Sequence, residues 1–310
     1  MRVSAPRRRP PSARSSTSTA WSARRRRFTT ASSGRRLGLF LQGGGALGAW
    51  QAAALEVFHS RGLRFDAIMG YSIGAVNGSA LAFDRLDEGM TRWRALDAGA
   101  LRLRPRLRPF ALCSLEPLLA FLAAARDEQA AKAALRAELT IVTACPAEGA
   151  PINARFTPGG RGGWDGPLVE HAAGSCAIPL VFPAVELEYR GRRRRLIDGG
   201  VPMTAPLDLS PLAGCSEVIV LEMVRADEVG RRGWRPWRNL DQRCRDAGRG
   251  LIDDGLQALL NSDRPPRVHR LEPSRRLEPM MLDFRAAGLA AMLAQGARDA
   301  EAFLSASKLL

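Results

Sequence analysis

The sequence predicts an α/β fold with a largely parallel central sheet. Short apolar runs, clearest at 37–41 and 139–144, alternate with longer stretches whose apolar residues recur at helical spacing. Strands that alternate with helices favour parallel β–α–β units. The apolar fraction of 46% is large enough to bury a sizeable core, which excludes an intrinsically disordered chain.

The predicted elements follow one another from residue 37 onward. Residues 37–41 are predicted to form a short buried strand, and residues 46–59 a helix after three consecutive glycines. A second strand covers 67–69, and a further helix starts near Ser72. The later elements are a helix at 116–139, a β-branched strand at 139–144, a helix at 168–179 ended by Pro179, a hairpin of 185–189 with 193–197, and a buried strand at 217–224.

The net charge of +15 comes mostly from an N-terminal tail, residues 1–36, which contains eleven Arg and no Asp or Glu. Residues 37–310 carry 35 basic and 31 acidic side chains, so their charge indicates no specific nucleic-acid partner. The tail is rich in Arg, Ser, Thr and Pro and is predicted to be disordered. Its composition resembles an organelle transit peptide, but a solvated basic arm or a mis-assigned start codon is the preferred interpretation.

Cysteine and histidine usage argues against a metal site. Five dispersed cysteines form no C-x-x-C pair, and the three histidines lie far apart in sequence, so no metal or other cofactor is expected. An odd, dispersed set of cysteines is typical of a reducing compartment. The chain shows no apolar secretory signal, and we therefore expect a cytoplasmic protein.

No charged residue occurs from Leu37 to Leu55, a length that would suit a membrane-spanning helix. This interpretation fails because the stretch includes five Gly and two Gln. Each glycine weakens a helix by roughly 1 kcal/mol. Strand, turn and helix are predicted instead, and no transmembrane segment is expected.

The stretch LGLFLQGGGALGAW, residues 37–50, has two functional interpretations. Its glycines match the G-x-G-x-x-G spacing of a dinucleotide-binding loop, and they would equally expose backbone N–H groups to an oxyanion. A dinucleotide fold needs an acidic residue at the end of the second strand, whereas Asp66 precedes that strand. The position of Asp66 disfavours a nucleotide-binding oxidoreductase.

The second strand ends in GYSIG, which is the G-x-S-x-G pattern of a nucleophile elbow. Gly70 and Gly74 flank Ser72 because a sharp turn from strand to helix leaves no room for side chains at either position. The turn would lift the Ser72 hydroxyl out of the sheet, beside a helix N-terminus that favours negative charge. The alternative is that Ser72 only caps the helix, which would not require two flanking glycines.

A serine nucleophile also needs a base. His171 and His269 are candidates, but His171 lies in a predicted helix, where a lone histidine is more often structural. Asp198 in RRLIDGG is the stronger candidate, because a predicted strand ends in it and two glycines follow. A simple Asp-Gly hairpin turn is the alternative.

A glycine loop, G-x-S-x-G and a later D-G-G, in this order, resemble the patatin-like phospholipase family. Four blocks carry the resemblance: QGGGALGAW, GYSIGAVNG, CAIPLVFPAV and LIDGG. They lie within residues 37–206, which would be the catalytic core. Residues 207–310 resemble only weakly the C-terminal extension of a bacterial subgroup of the family, and would be the C-terminal part of the same domain or that extension.

The resemblance implies a three-layer α/β/α fold and hydrolysis of acyl esters in phospholipids and neutral lipids, without a metal. It implies a dyad that lacks histidine, with Ser72 as the nucleophile and Asp198 as the base. The amides of Gly43, Gly44 and Gly45 would form the oxyanion hole. Burial of Asp198 would raise its pKa toward neutrality and make it a better base.

Two positions depart from the family's pattern. Leu47 stands where the family usually carries Arg or Lys, and Gln42 replaces a frequent Asp before the glycines. The same bacterial subgroup tolerates both. The absence of a positive charge at Leu47 leaves the headgroup preference open.

A lipase acts on aggregated substrate, so peripheral contact with a membrane is expected. Residues 101–109, LRLRPRLRP, alternate Leu with Arg and would form a basic flap against anionic lipid; an ordinary loop before a core helix is the preferred alternative. Residues 190–195, RGRRRR, are predicted to be the solvated edge of the hairpin that leads to Asp198. Neither run has the interleaved aromatic residues of a single-strand nucleic-acid platform.

The sequence therefore favours a serine acyl-ester hydrolase whose substrates are lipid esters. A function of another class remains as the alternative: a lipid-binding or regulatory protein with a vestigial dyad. The presence of Ser72, Asp198 and the glycine loop together counts against it.

Overall fold

A computed structural model gives the fold of the chain. The residues that it describes are 35–97, 103–107, 110–113, 120–307 and 309. Residues 1–34 of the predicted tail lie outside this set, whereas Arg35 and Arg36 form ion pairs with Glu217 and Glu138 at the start of the sheet. No helix in the described part of the chain is long and apolar enough to cross a membrane.

Ten strands and seven α-helices make up the described fold. The strands are β1 (Leu37–Leu41), β2 (Ala67–Tyr71), β3 (Leu103–Leu107), β4 (Phe110–Cys113), β5 (Glu138–Cys145), β6 (Ala150–Phe156), β7 (Val185–Tyr189), β8 (Arg192–Asp198), β9 (Glu217–Leu221) and β10 (Arg267–Leu271). The helices are α1 (Gly48–Ser60), α2 (Ile73–Ala82), α3 (Leu86–Ala95), α4 (Glu128–Ala134), α5 (Leu168–Ser175), α6 (Pro236–Leu260) and α7 (Ala286–Ala306).

Eight strands form one mixed sheet in the order β10–β9–β1–β2–β5–β8–β7, with β6 also paired to β5. The five strands β10, β9, β1, β2 and β5 run parallel, and β6, β7 and β8 join antiparallel. The predicted α/β class with a mostly parallel sheet is confirmed. Strands β3 and β4 form a separate antiparallel pair; the other residues of the predicted flap, 101–102 and 108–109, lie outside the described residues.

Alternate residues of the central strands face two separate apolar cores. Leu39 and Leu41 point into the core that packs against α1, α2, α3 and α7, whereas Phe40 points to the other side. There Ile252 of α6 and Leu209 contribute to the second core. Because helices cover both faces of the sheet, the fold has the three layers that the family resemblance implies.

The C-terminal third contributes to the same sheet and, through α6 and α7, to both helical layers. Strand β9 lies between β1 and β10. Helix α7 crosses α1 so closely that a Cβ on Gly296 would lie 2.1 Å from the Trp50 carbonyl oxygen. The Trp50 indole also donates a hydrogen bond of 2.7 Å to Asp299. These contacts anchor α1, the helix that follows the glycine loop.

The predicted helix at 116–139 is wrong in its extent. Residues 114–119 lie outside the described residues, Ala120–Arg126 form a 3₁₀ helix, and only α4 is α-helical. The Asp127 carboxylate caps α4 by accepting hydrogen bonds from two of its backbone N–H groups. The alanine-rich composition predicted one long helix. That prediction was wrong because helix propensity alone does not reveal where a capping residue starts a new helix.

Candidate active site

The candidate site lies where β2 and β8 meet on one edge of β5. Strand β6 pairs along the opposite edge, so β2 and β8 share the remaining one. Strand β2 ends with Tyr71 opposite Val142, and β8 arrives from the other direction with Asp198 opposite Thr143. Since Ser72 directly follows Tyr71, the register brings Ser72 and Asp198 to the same place.

Ser72 has the strained backbone of a nucleophile elbow, with φ 53° and ψ −131°. Residues with a side chain rarely adopt this conformation, and it is held here by close backbone approaches. A Cβ on Gly74 would lie 2.3 Å from the Leu41 carbonyl oxygen, and a Cβ on Gly70 would meet the Gly74 carbonyl carbon at 2.8 Å. Both flanking glycines are therefore required by the tight turn between β2 and α2.

The glycine loop lies directly against Ser72. A Cβ on Gly43 would fall 2.8 Å from the Ser72 Cβ and 2.6 Å from the Tyr71 ring. The amide N–H groups of Gly44 and Gly45 have no acceptor among the described residues. Burial raises the pKa of the Tyr71 phenol, and the Gly43 amide, acting as a donor, opposes that shift. The Gly43 amide thus lies near Tyr71 without a well-formed hydrogen bond to it, and the next two amides are also available.

A segment from the C-terminal third holds the glycine loop in place. The Met281 carbonyl oxygen accepts a 2.7 Å hydrogen bond from the Ala46 N–H. The same oxygen lies 2.1 Å from the position of a Cβ on Gly45, whose φ of +56° also favours glycine. Arg245, buried on α6, fixes this segment by donating a 2.5 Å hydrogen bond to the Pro279 carbonyl.

Asp198 is a buried carboxylate with one free oxygen. Its Oδ1 accepts a 2.8 Å hydrogen bond from the Gly200 N–H, whereas Oδ2 has no hydrogen-bond partner in the described part of the chain. Burial raises the pKa of Asp198 to about 6, and the Ser72 hydroxyl, acting as a donor, opposes that shift. The Ser72 hydroxyl is thus near the carboxylate without a well-formed hydrogen bond to it. Catalytic hydrogen bonds are often long before substrate binds.

Ser175 links the elbow to the D-G-G turn and was not among the residues predicted from the sequence. Its hydroxyl accepts a 2.8 Å hydrogen bond from the Ser72 N–H and donates one of 2.6 Å to the Val142 carbonyl. Its own carbonyl accepts a hydrogen bond from the Gly199 N–H at 3.4 Å. The sequence signal that could have identified Ser175 is its position immediately before the CAIPLVFPAV block.

The two candidate histidines lie away from Ser72. His171 is fully buried beside the rings of Phe156 and Tyr189, and burial lowers its pKa to about 4. His269 contacts Glu217 at 2.7 Å, on the two strands that lie beyond β1. Among the residues described, no group of three or more Cys, His, Asp or Glu could hold a metal ion.

The structure explains the residues that depart from the two sequence patterns. The Gln42 side-chain oxygen accepts a 2.5 Å hydrogen bond from the Met223 N–H, so an uncharged amide joins the loop to the end of β9. Leu47 is buried in the core, where a charged side chain would be desolvated. Asp66 accepts a hydrogen bond from the Leu37 N–H, at the end of β1 opposite the glycines. Asp66 therefore lies at the opposite end of the strands from the position that a dinucleotide ribose would require.

The chain is similar to several known proteins. The family model described as patatin-like phospholipase matches residues 39–209. Uncharacterised NTE family proteins of Mycobacterium bovis and Mycobacterium tuberculosis are 31% identical over 206 residues, which is 64% of this chain and 52% of theirs. The chain spans about half the length of these relatives. Among solved structures, VipD from Legionella pneumophila has a TM-score of 0.46 at 12% identity, covering 88% of this chain and 67% of its own. The type III effector protein ExoU has a TM-score of 0.38 at 13% identity, covering 87% of this chain and 53% of its own.

Proposed function

The chain belongs to the patatin-like phospholipase family, and on that premise we propose that it is a serine acyl-ester hydrolase that releases fatty acids from lipid esters. One observation carries the proposal: Ser72, in a strained elbow, lies beside Asp198, a buried carboxylate whose Oδ2 is free. Backbone strain and an unsatisfied buried acceptor both cost folding free energy. Such costs concentrate where a protein performs chemistry.

Acylation begins when Asp198 accepts the proton of the Ser72 hydroxyl as Oγ attacks the ester carbonyl carbon. The carbonyl oxygen becomes an oxyanion, for which the amides of Gly43, Gly44 and Gly45 are the candidate donors. Collapse of this intermediate breaks the ester C–O bond. The leaving alkoxide takes the proton from the Asp198 carboxylic acid, and the acyl group remains on Ser72.

Deacylation repeats these steps with water as the nucleophile. The Asp198 carboxylate accepts a proton from water as the water oxygen attacks the acyl carbon. The second tetrahedral intermediate expels the Ser72 oxygen, which recovers its proton from Asp198. The products are a fatty acid and the free enzyme, so no metal or other cofactor is required.

The environment of Asp198 supports its role as the base without a histidine. A solvated carboxylate is too weak a base to accept a serine proton efficiently at neutral pH. Burial raises the pKa of Asp198 to about 6 and so strengthens it as a base while leaving most of it ionised at pH 7. Neither His171 nor His269 contacts Ser72, which also favours a two-residue mechanism.

A fluorophosphonate probe, which labels activated serines covalently, tests this proposal. We expect the full chain to be labelled and Ser72→Ala not to be labelled. Asp198→Asn should react about 100-fold to 10,000-fold more slowly, the usual contribution of a general base. Ser79→Ala is the matched control, because Ser79 is equally buried in α2 but donates only to the Ala75 carbonyl of its own helix.

Two results would contradict the proposal. Labelling that persists in Ser72→Ala would exclude the assigned nucleophile. Absence of labelling in the parent, together with binding to lipid vesicles, would favour the vestigial lipid-binding alternative. Release of fatty acid from phospholipid or neutral-lipid vesicles, measured for parent and Ser72→Ala, then identifies the ester class that the site accepts.

A further inference from the structure

One surface of the chain exposes large apolar side chains at the start of α6. Trp234, Trp237 and Leu240 are 83%, 57% and 64% exposed, and we refer to these three residues as the tryptophan patch. A soluble protein seldom leaves two neighbouring tryptophans open to water, because each offers a large apolar ring. Such a cluster indicates a surface that another phase or molecule covers.

The tryptophan patch lies in an Arg-rich stretch of the chain. Residues 229–243 contain five Arg and one Asp. The Arg235 guanidinium stacks over the Trp234 ring at 4.8 Å and makes no ion pair with any described residue. Arginines that alternate with tryptophans along the chain place cationic and apolar side chains next to one another. This combination suits a boundary between anionic headgroups and acyl chains.

The tryptophan patch and Ser72 lie on the same side of the molecule, at the carboxyl ends of the parallel strands. The parallel strands β1, β2 and β9 all end on this side, and α6 starts there after the loop that follows β9. Asp241, one residue after the patch, accepts a 2.7 Å hydrogen bond from the Met281 N–H. Met281 in turn contacts the glycine loop through Ala46. Leu282, the residue after Met281, is also exposed.

We propose that the tryptophan patch docks the protein on an anionic lipid bilayer, with the carboxyl edge of the sheet turned toward the membrane. The inference deepens the proposed lipid hydrolysis and rests on it, since docking would present lipid esters to Ser72. A second copy of the chain is a poorer occupant. A symmetric contact would bring the five Arg of each copy together, and like charges disfavour such an interface.

Vesicle sedimentation with the full chain tests the proposal independently of catalysis when all variants carry Ser72→Ala. The vesicles are phosphatidylcholine alone and an equimolar mixture with phosphatidylglycerol. Trp234→Ala with Trp237→Ala should weaken partitioning into the mixed vesicles by about 10-fold or more, because two rings leave the interface. Arg235→Gln should cost about fivefold at low salt and less at high salt.

Helix α6 offers a matched control at its other end. Leu240 and Leu260 are both exposed, but Leu260 lies at the opposite edge of the sheet. Leu240→Ala should therefore reduce vesicle binding, whereas Leu260→Ala should leave it unchanged. Equal binding of the two leucine variants, or full binding of the double tryptophan variant, would overturn the proposal. A parent that is dimeric without lipid and becomes monomeric on tryptophan replacement would also overturn it, in favour of a second copy.

Activity measurements separate this inference from the proposed function. In chains that retain Ser72, the double tryptophan variant should hydrolyse a soluble short-chain ester at the parental rate and lose activity only on vesicles. If neither the parent nor the variant hydrolyses any ester, the proposed function fails. The sedimentation results would still decide whether the patch binds lipid.

Discussion

Ser72 directly follows β2 and Asp198 ends β8, and these two strands meet on one edge of β5, where Tyr71 lies opposite Val142 and Asp198 opposite Thr143. Successive residues of a strand are about 3.3 Å apart along its axis. The positions of the two pairing residues on β5 therefore set the separation of the two strand ends. The relative position of Ser72 and Asp198 is therefore a property of strand register. It does not depend on a flexible loop carrying one of the partners.

Ester hydrolysis should lose activity in acid with a midpoint near the pKa of Asp198, about 6. The base must be ionised to accept the Ser72 proton, so kcat/KM should rise with pH and then level off. The measurement is kcat/KM on a soluble ester from about pH 4 to about pH 9. His171→Phe is the control, and a midpoint that moves in this variant would contradict the assignment of the base.

Asp198→Asn should stabilise the fold at neutral pH while removing activity. The folded pKa of Asp198 is raised, so ionisation opposes folding, and the parent loses stability as the pH rises from about 4 through about 6. The gain in unfolding free energy should be at most about 3 kcal/mol at pH 7 and should vanish below the unfolded pKa. Thermal unfolding of parent and variant at pH 7 and at a pH below the unfolded pKa of Asp198 measures this gain in unfolding free energy. The exposed Asp263→Asn should show no gain at either pH.

Ser175→Ala should slow acylation because it leaves the buried Ser72 N–H without an acceptor. We expect a loss of about 1–3 kcal/mol in unfolding free energy. We also expect kcat to fall by about 10-fold to 100-fold with little change in KM, because the nucleophile loses its orientation. The midpoint of the pH profile should stay in place, since Asp198 is intact.

Ser175→Cys and Ser79→Ala complete that experiment. The thiol can still accept a weak hydrogen bond, so Ser175→Cys should recover part of the fluorophosphonate labelling rate. Ser79→Ala removes an equally buried hydroxyl that does not contact Ser72. If Ser175→Ala and Ser79→Ala label at the same rate, Ser175 has no positioning role.

Gly43→Ala should remove most activity, because the new methyl group would overlap the Tyr71 ring and the Ser72 Cβ. The loop must move away from Ser72, and we expect kcat to fall by about 100-fold to 1,000-fold, as when an oxyanion donor is lost. Gly233→Ala is the control, since a Cβ there meets open space. Parental activity of Gly43→Ala would show that the loop does not approach the oxyanion.

Most of the central sheet could be predicted because its signals are local. Apolar runs predicted β1, β2, β5 and β9, and the two short segments around Gly191 predicted the hairpin of β7 with β8. The elbow around Ser72 could be predicted because only glycines fit the two flanking positions. Five consecutive residues are therefore enough to indicate this turn. The confirmed fold class rests on this local information.

The rest of the site depends on contacts between residues far apart in the chain. Ser175 reaches Ser72 across 103 positions, and the Met281 carbonyl reaches Ala46 through the C-terminal third. Neither residue belongs to a pattern that spacing or hydropathy could reveal. The same holds for the extent of α4, where a single cap at Asp127 outweighs the helix propensity of the alanines around it.

The hydrogen bond between Ala46 and Met281 also limits which segment of the chain could be transferred to another protein with its glycine loop intact. The family match ends at residue 209, yet the carbonyl that braces the glycine loop lies more than seventy positions later. Grafting residues 39–209 onto another scaffold would transfer Ser72 and Asp198 without that brace. The smallest portable unit of this active site is therefore longer than the segment by which the family is recognised.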